Sequence, residues 1–102
     1  MDLKLNGKSA LITGGSEGIG KGIAIGLAKE GASISICARR EDVLETAAQE
    51  IRDSTGAKVI AIPTDLTDDD QARNFVERSI KELGSADILV NNAGSSPGGI
   101  LE

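Results

Sequence analysis

Four short apolar runs alternate with stretches of helical periodicity, and this alternation limits the possible folds more than any other feature of the sequence. The runs cover residues 9–13, 33–38, 59–62 and 87–91. They are rich in β-branched residues and apolar at both odd and even positions, which is typical of strands covered on both faces of a parallel sheet. The sequence therefore predicts four parallel strands joined by right-handed crossovers.

The stretches between the runs place apolar residues on one face of a helix. The clearest set is Leu44, Ala47, Ala48 and Ile51. Their spacing of i, i+3, i+4 and i+7 predicts a helix over about residues 41–53. The same kind of spacing, from Ala72 to Leu83, predicts a helix over about residues 68–83, and Thr67 is its expected N-cap.

The element order βαβαβαβ predicts an α/β fold with a doubly wound sheet of strand order 3-2-1-4. Helices over about residues 18–30 and 41–53 should cover one face of this sheet. The helix over about residues 68–83 should cover the other face alone, which would leave apolar surface near Ile88 and Val90. We expect all 102 residues to belong to one domain.

The composition limits the chemistry that the chain can perform by itself. Its 102 residues include no His, no Tyr and no Trp, and they include one cysteine, Cys37, and one phenylalanine, Phe75. Proton transfer would have to come from Asp, Glu, Lys or the thiol, which argues against a complete active site. Cys37 lies in a predicted β-branched strand, where a small buried side chain is expected rather than a nucleophile.

Charge and hydropathy argue against several classes of partner. The net charge of −5 does not suit nucleic acid, whose phosphates need clustered Lys and Arg. A lone cysteine excludes an internal disulfide and a cysteine-rich zinc site, and no metal site is predicted. The longest apolar run, residues 59–62, is too short to cross a bilayer. Residues 1–7 contain no secretory apolar segment, so we expect a cytoplasmic protein.

A glycine-rich turn directly follows the first predicted strand. It reads TGGSEGIG over residues 13–20 and leads into a helical segment. Glycines let a pyrophosphate approach the backbone, and the N–H groups of a helix N-terminus favour its negative charge. The turn therefore predicts a binding site for the phosphates of a nucleotide.

Two other phosphate-binding patterns fit this turn less well. The G-x-G-x-x-G fingerprint that starts at Gly18 needs a third glycine where Ile23 stands. The P-loop pattern that starts at Gly15 needs Ser or Thr after Lys21 to hold Mg²⁺, and Gly22 stands there. A Mg²⁺-dependent NTPase is therefore disfavoured.

The spacing Thr-Gly-x-x-x-Gly-x-Gly of residues 13–20 resembles the cofactor motif of short-chain dehydrogenases/reductases. The NNAG segment over residues 91–94 resembles the family's second signature, and Asp65-Leu66 resembles a third. The chain is thus similar to the N-terminal part of such an enzyme, 3-oxoacyl-thioester reductases included. The resemblance implies a Rossmann-type fold, truncated to four strands and three helices. It also implies an NAD(P)(H)-dependent oxidoreductase acting on a ketone, a 3-oxoacyl group or a secondary alcohol.

The resemblance also implies which residues bind the cofactor. Those of the turn that would wrap the adenosine ribose and the pyrophosphate are Gly14, Ser16, Gly18, Ile19 and Gly20. Those that would line the ribose and the approach to the nicotinamide are Asn92, Ala93 and Gly94. Asp65 would accept a hydrogen bond from the adenine amino group, with Leu66 beside the ring. The Thr13 hydroxyl would tie the turn to the NNAG segment.

The residues after the second strand favour NADP over NAD. NAD-specific proteins of this fold place Asp or Glu where Ala38 stands. Arg39 and Arg40 follow, and a guanidinium group binds phosphate through two parallel hydrogen bonds. Glu17 departs from this pattern, because NADP-preferring relatives often have Lys or Arg at that position of the turn. We expect NADP as the cofactor, with Glu17 modestly opposing its 2′-phosphate.

The resemblance assigns no catalytic residue to this chain. Relatives use a Ser, a Tyr-x-x-x-Lys pair and an Asn, and the 102 residues contain no Tyr. We therefore expect the chain to bind the cofactor but to be inactive alone. For the full-length protein, a small carbonyl or alcohol substrate and a homotetramer are implied, without nucleic-acid or membrane partners. A stand-alone nucleotide-binding or sensor module without catalysis is the alternative.

Overall fold

The computed structural model describes residues 4–92 as a parallel sheet with helices on both faces. Its elements in chain order are β1 (Ser9–Thr13), α1 (Gly18–Lys29), β2 (Ser33–Ala38), α2 (Glu41–Thr55), β3 (Val59–Pro63), α3 (Asp69–Leu83) and β4 (Ile88–Asn91). All strand pairs are parallel, and the order across the sheet is β3-β2-β1-β4. The α/β fold class, the strand order 3-2-1-4 and the three helices are confirmed.

Strand β1 lies inside the sheet and brings the ends of its neighbours together. Its last residue, Thr13, pairs in register with Cys37 of β2 and with Asn91 of β4. Since parallel strands end at the same edge of a sheet, the turn after β1 lies between the segments that follow β2 and β4. Residues that are far apart in the sequence therefore meet at this edge.

Each face of the sheet has its own core. The larger core lies under α1 and α2, and its fully buried members include Ile12, Ile36 and Leu44. The buried residues of the smaller core, under α3, are Leu11, Cys37, Ile62 and Phe75. Two helices therefore cover one face and a single helix covers the other, as the sequence predicted.

The apolar surface expected near Ile88 and Val90 lies instead at Leu89. Ile88 and Val90 are partly buried against the core under α1 and α2, whereas Leu89 is 64% exposed. Successive residues of a strand point to opposite faces, and Leu89 pairs with Leu11, which faces α3. Because α3 packs on β1 and β2, no element within residues 4–92 covers the Leu89 face of β4.

The N-terminus of α3 differs from the prediction by one residue. Asp68 is the N-cap, and its Oδ1 accepts from the backbone N–H groups of Asp70 and Gln71 over 2.9 and 3.2 Å. The expected cap, Thr67, instead donates its hydroxyl hydrogen to Oδ1 of Asp65 over 2.6 Å. The prediction of Thr67 as the N-cap was wrong because its hydroxyl is already bonded to the carboxylate of Asp65, two residues before it.

The other differences from the predicted bounds are small. Helix α2 continues to Thr55, where Gly56 ends it with a left-handed φ of 73°. Strand β3 includes Pro63, and β4 begins at Ile88. These shifts lie at element ends, where the limits of regular structure are least sharp.

Candidate functional site

The glycine-rich turn reverses the chain between β1 and α1. Gly14 and Gly18 have positive φ angles of 68° and 50°, a conformation that residues with a Cβ rarely adopt. The N–H of Gly14 donates to the carbonyl oxygen of Cys37 in β2 over 2.9 Å. The turn is thus anchored to the sheet, and its shape favours glycine at these two positions.

Two further glycines allow close packing of the backbone. A Cβ on Gly20 would overlap the carbonyl oxygen of Gly14 and would lie 2.6 Å from Nδ2 of Asn92. A Cβ on Gly15 would lie 2.6 Å from Cγ2 of Ile36. The missing side chain at Gly20 therefore lets α1 begin directly against the turn, and the missing side chain at Gly15 lets the turn lie against β2.

Within the described residues, no side chain caps the backbone N–H groups in the first turn of α1. Its N-cap residue, Glu17, is extended with a φ of −141°, and the Glu17 side chain makes no capping bond. By contrast, α3 is capped by the carboxylate of Asp68. The first N–H groups of a helix have no intrahelical partner and carry partial positive charge. This end of α1 is therefore suited to an anion that fits the turn.

Residues at the end of β4 hold the turn from its other side. The Thr13 hydroxyl donates to Oδ1 of Asn91 over 3.0 Å and accepts from the N–H of Asn92 over 2.9 Å. Nδ2 of Asn92 donates to the carbonyl oxygen of Gly14 over 3.3 Å. Thr13 thus ties the turn to this segment, as the family resemblance implied. The hydrogen bond from the Asn92 side chain to the turn was not predicted, because it depends on how closely the end of β4 approaches Gly14.

The two arginines after β2 both interact with carboxylates. Arg40 is the N-cap residue of α2, and its Nη2 donates to Oδ2 of Asp42 over 3.1 Å. Hydrogen bonds from the hydroxyl and N–H of Thr67 hold the pKa of Asp65 below its usual value, and the positive charge of Arg39 lowers it further. Arg39 and Asp65 follow neighbouring strands, since Ala38 of β2 pairs in register with Pro63 of β3.

A cavity of about 330 Å³ lies between α1 and α2. Its lining residues are Ser16, Lys21, Asp42, Val43, Thr46, Ala47 and Glu50. Lys21 and Glu50 form an ion pair there, with 2.6 Å between Nζ and Oε1. Of the predicted site residues that the structure describes, Ser16 alone belongs to this lining. The charged residues were missed because only the packing of α2 beside α1 brings them to the turn.

The remaining predicted site residues lie on the turn, against the core under α3, or outside the described residues. Glu17 and Ile19 lie on the turn, and Ile19 is 75% exposed. Leu66 is partly buried against the core under α3. Ala93 and Gly94 lie outside the described residues.

Cys37 is fully buried in β2, as expected for a small core residue. Burial raises the pKa of its thiol from 9.0 to about 11, although hydrogen bonds involving Gly14 and Thr64 lower it in part. The fold therefore favours the protonated thiol, which is the less nucleophilic form.

The raised pKa of Cys37 predicts a stability difference that depends on pH. In the unfolded chain the thiol ionises near 9.0, whereas in the folded chain it stays protonated up to about 11. The contribution of the thiol is therefore complete below pH 9 and is lost as the pH rises towards 11. Urea unfolding at pH 8 and pH 10 should show that the stability difference between the wild type and Cys37→Ala falls by about 1 kcal/mol. A constant difference would contradict the assigned shift.

None of the helices within residues 4–92 combines the length and the apolar character needed to cross a membrane. Over the same range, no three His, Cys, Asp or Glu side chains come together in a group that could hold a metal ion.

A parallel sheet of order 3-2-1-4, with a glycine-rich turn leading from an inner strand into a helix, defines a Rossmann-type α/β protein. The family model for the short chain dehydrogenase family matches residues 8–102. The chain therefore belongs to the short-chain dehydrogenase family, as its three motifs indicated.

Known members of the family resemble the chain over nearly all of its length. The 3-oxoacyl-(acyl-carrier-protein) reductase of Chlamydia muridarum is 39% identical over 101 residues, which are 99% of this chain and 41% of the relative. The structure of L-sorbose reductase from Gluconobacter frateurii, complexed with NADPH and L-sorbose, is 44% identical, with a TM-score of 0.86 over 93% of this chain and 36% of that one. An NAD⁺-bound xylitol dehydrogenase is 33% identical, with a TM-score of 0.86 over 90% and 35% of the two chains. The chain thus spans well under half the length of each relative.

Proposed function

We propose that residues 1–102 are the dinucleotide-binding part of a single Rossmann domain in an NADP(H)-dependent oxidoreductase of the short-chain dehydrogenase family. The observation that carries this proposal is the N-terminus of α1, which has no side-chain cap and opens on a turn kept free of side chains at Gly14, Gly18 and Gly20. A pyrophosphate bound there would accept backbone N–H bonds and meet the positive end of the helix dipole. Thr13 and Asn92 support the turn from behind.

The remaining site residues have distinct roles in this proposal. Ser16, Glu17 and Ile19 border the ribose and the pyrophosphate. Asp65 accepts a hydrogen bond from the adenine amino group through its carboxylate, whose pKa lies below its usual value because of the bonds from Thr67. Leu66 supports the ring from the side of the core under α3. The residues that continue from the turn side of β4 towards the nicotinamide are Asn92, Ala93 and Gly94.

The preference for NADP over NAD rests on the residues after β2. Ala38 is uncharged and stands where NAD-specific proteins of this fold have Asp or Glu. Arg39 and Arg40 follow it, at the edge of the sheet where the turn after β1 lies. The solved relatives include one bound to NADPH and one bound to NAD⁺, so the family itself allows either nucleotide. Arginine is the residue best suited to bind a 2′-phosphate through two hydrogen bonds.

In this proposal the chain binds and orients the nucleotide, and other residues of the protein perform proton transfer. When bound, the nicotinamide cofactor supplies or accepts a hydride. The 102 residues contain no Tyr and no His, so we expect the chain to be inactive alone. A small carbonyl or alcohol substrate, a homotetramer and a cytoplasmic location are proposed for the whole protein. The Chlamydia relative makes a 3-oxoacyl thioester the first substrate to test.

The test of this proposal uses the adenosine end of the cofactor, which is the end that the chain should bind. Calorimetric titration of the chain with 2′,5′-ADP and 5′-ADP should show tighter binding of the 2′-phosphorylated nucleotide. Arg39→Ala should weaken 2′,5′-ADP by about tenfold or more, the scale of a hydrogen bond to a charged group, and should change 5′-ADP binding by less than about twofold. Binding of neither nucleotide would refute the proposed function.

Arg73→Ala is the matched control for Arg39→Ala. Arg73 is an exposed arginine of α3 that pairs with Asp70, so Arg73→Ala removes the same charge from the helix on the opposite face of the sheet. It should leave both dissociation constants unchanged. Equal weakening of both nucleotides by Arg39→Ala would contradict a contact between Arg39 and the 2′-phosphate.

A further inference from the structure

The first turn of α2 carries a negative charge beside the expected position of the 2′-phosphate. Asp42 and Ser16 line the same cavity, and Ser16 belongs to the turn that borders the adenosine ribose in the proposed function. The register of β1 with β2 places the start of α2 next to this turn. The first turn of α2 therefore lies close to a turn residue that borders the ribose in the proposed function.

Asp42 also interacts with one of the two arginines expected to bind that phosphate. Oδ2 of Asp42 accepts from Nη2 of Arg40 over 3.1 Å. Both side chains are 74% exposed, so this pair can rearrange when a stronger anion arrives. A phosphate that binds Arg40 must compete with Asp42 for the guanidinium group.

The other charged residues of the cavity do not offset Asp42. Lys21 is the cation of the lining, and it is paired with Glu50 over 2.6 Å. With Asp42 and Glu50 negative and Lys21 positive, the formal charge of the lining is negative. Such a surface repels a phosphate but has little effect on a ribose hydroxyl.

We propose that Asp42 is a specificity-determining residue that weakens the preference of this chain for 2′-phosphorylated nucleotides. The inference rests on the proposed function and extends it to a residue outside the motifs of the sequence. Asp42 pairs with Arg40 and places a negative charge beside the guanidinium group that should bind the 2′-phosphate. The preference for NADP then depends on the balance between Arg39 and Arg40 on one side and Asp42 on the other.

The test compares two variants that each lose one acidic group from the first turn of α2. Asp42→Asn removes the charge that lines the cavity and pairs with Arg40. Glu41→Gln is the matched control, since Glu41 lies in the same helical turn and contributes the same charge to the helix N-terminus but does not line the cavity. The measured quantity is the ratio of the dissociation constants for 5′-ADP and 2′,5′-ADP, obtained by calorimetry at low and at high salt.

Asp42→Asn should raise this ratio about threefold at low salt, the scale of one exposed charge interaction, and the gain should shrink at high salt. Glu41→Gln should leave the ratio within about 1.5-fold of the wild type. If Asp42→Asn left the ratio unchanged or lowered it, or if Glu41→Gln raised it equally, this inference would be overturned while the proposed function stood. Failure of the wild type to bind either nucleotide would overturn both.

Discussion

Replacing Gly20 with alanine is expected to destabilise the fold by about 1–3 kcal/mol and to weaken 2′,5′-ADP binding severely. The added Cβ would overlap the carbonyl oxygen of Gly14 and would lie 2.6 Å from Nδ2 of Asn92. Both partners are held in place, Gly14 by its bond to Cys37 and Asn92 by its bond to Thr13. The methyl group therefore pushes α1 away from the turn, which displaces the N–H groups that should bind the pyrophosphate.

Gly22→Ala is the control for this prediction, because it makes the same change two residues further along α1, where there is open space. A Cβ on Gly22 would meet no atom within 4 Å. Alanine there should stabilise the chain by about 0.5–1 kcal/mol through its higher helix propensity. Urea unfolding and calorimetry of the two variants check the pair. Equal stabilities for the two variants would mean that α1 can move away from the turn without cost.

Replacing Phe75 with alanine is expected to lower the free energy of unfolding by about 3–5 kcal/mol, the usual cost of removing a buried aromatic ring. Phe75 is 1% exposed and is the largest residue of the small core under α3. Beside it, the Ser79 hydroxyl donates to the carbonyl oxygen of Phe75 over 2.6 Å and lies 2.7 Å from the hydroxyl oxygen of Ser35. Loss of the ring leaves a cavity at the point where α3 joins the sheet.

The matched control is Val76→Ala, one residue further along α3. Val76 is 37% exposed, so its truncation should cost less than about 1 kcal/mol. Small domains have a total stability of about 5–15 kcal/mol, so Phe75→Ala should unfold at much lower urea than either the wild type or Val76→Ala. Similar unfolding midpoints for the two variants would show that α3 adds little to the fold.

The order of the elements could be predicted because each strand and each crossover helix has its own pattern of apolar residues in the sequence. Runs apolar at both parities indicate strands with two covered faces, and the helical spacing at Leu44, Ala47, Ala48 and Ile51 indicates the crossover between two of them. Once all strands are parallel, the handedness of crossovers leaves few possible orders. The glycine-rich turn could be recognised for the same reason, since its shape depends on local backbone freedom at Gly14 and Gly18.

The errors arose where a side chain had more than one possible partner or face. Thr67 and Asp68 are both suitable N-caps, and the bond from Thr67 to Asp65 decides between them. The exposed apolar residue of β4 is Leu89 because the register with Leu11 fixes which alternate residues of β4 lie on the side of α3. Because the run is apolar at both odd and even positions, its sequence does not show which of them faces α3.

The charges around the turn could not be read from the motifs. Asp42 and Glu50 approach Ser16 and Lys21 only because α2 packs against α1. Likewise, Arg39 and Asp65 follow different strands, which lie side by side through the pairing of β2 with β3. Motif spacing describes the backbone of the turn, whereas the charges beside it depend on tertiary packing.

The hydrogen bonds that the Thr13 hydroxyl makes with Asn91 and Asn92 would make nucleotide affinity, in the proposed function, depend on the docking of a whole strand. They join residues that lie 78 and 79 positions apart, and β4 is an edge strand of the sheet within residues 4–92. Edge elements open most readily, and a ligand that needs β4 in place shifts that equilibrium by mass action. The far end of β4 is fixed by Asp87, whose Oδ2 accepts from the N–H of Ser9 over 2.9 Å. Weakening that distant contact should therefore lower the affinity at the turn without touching the nucleotide.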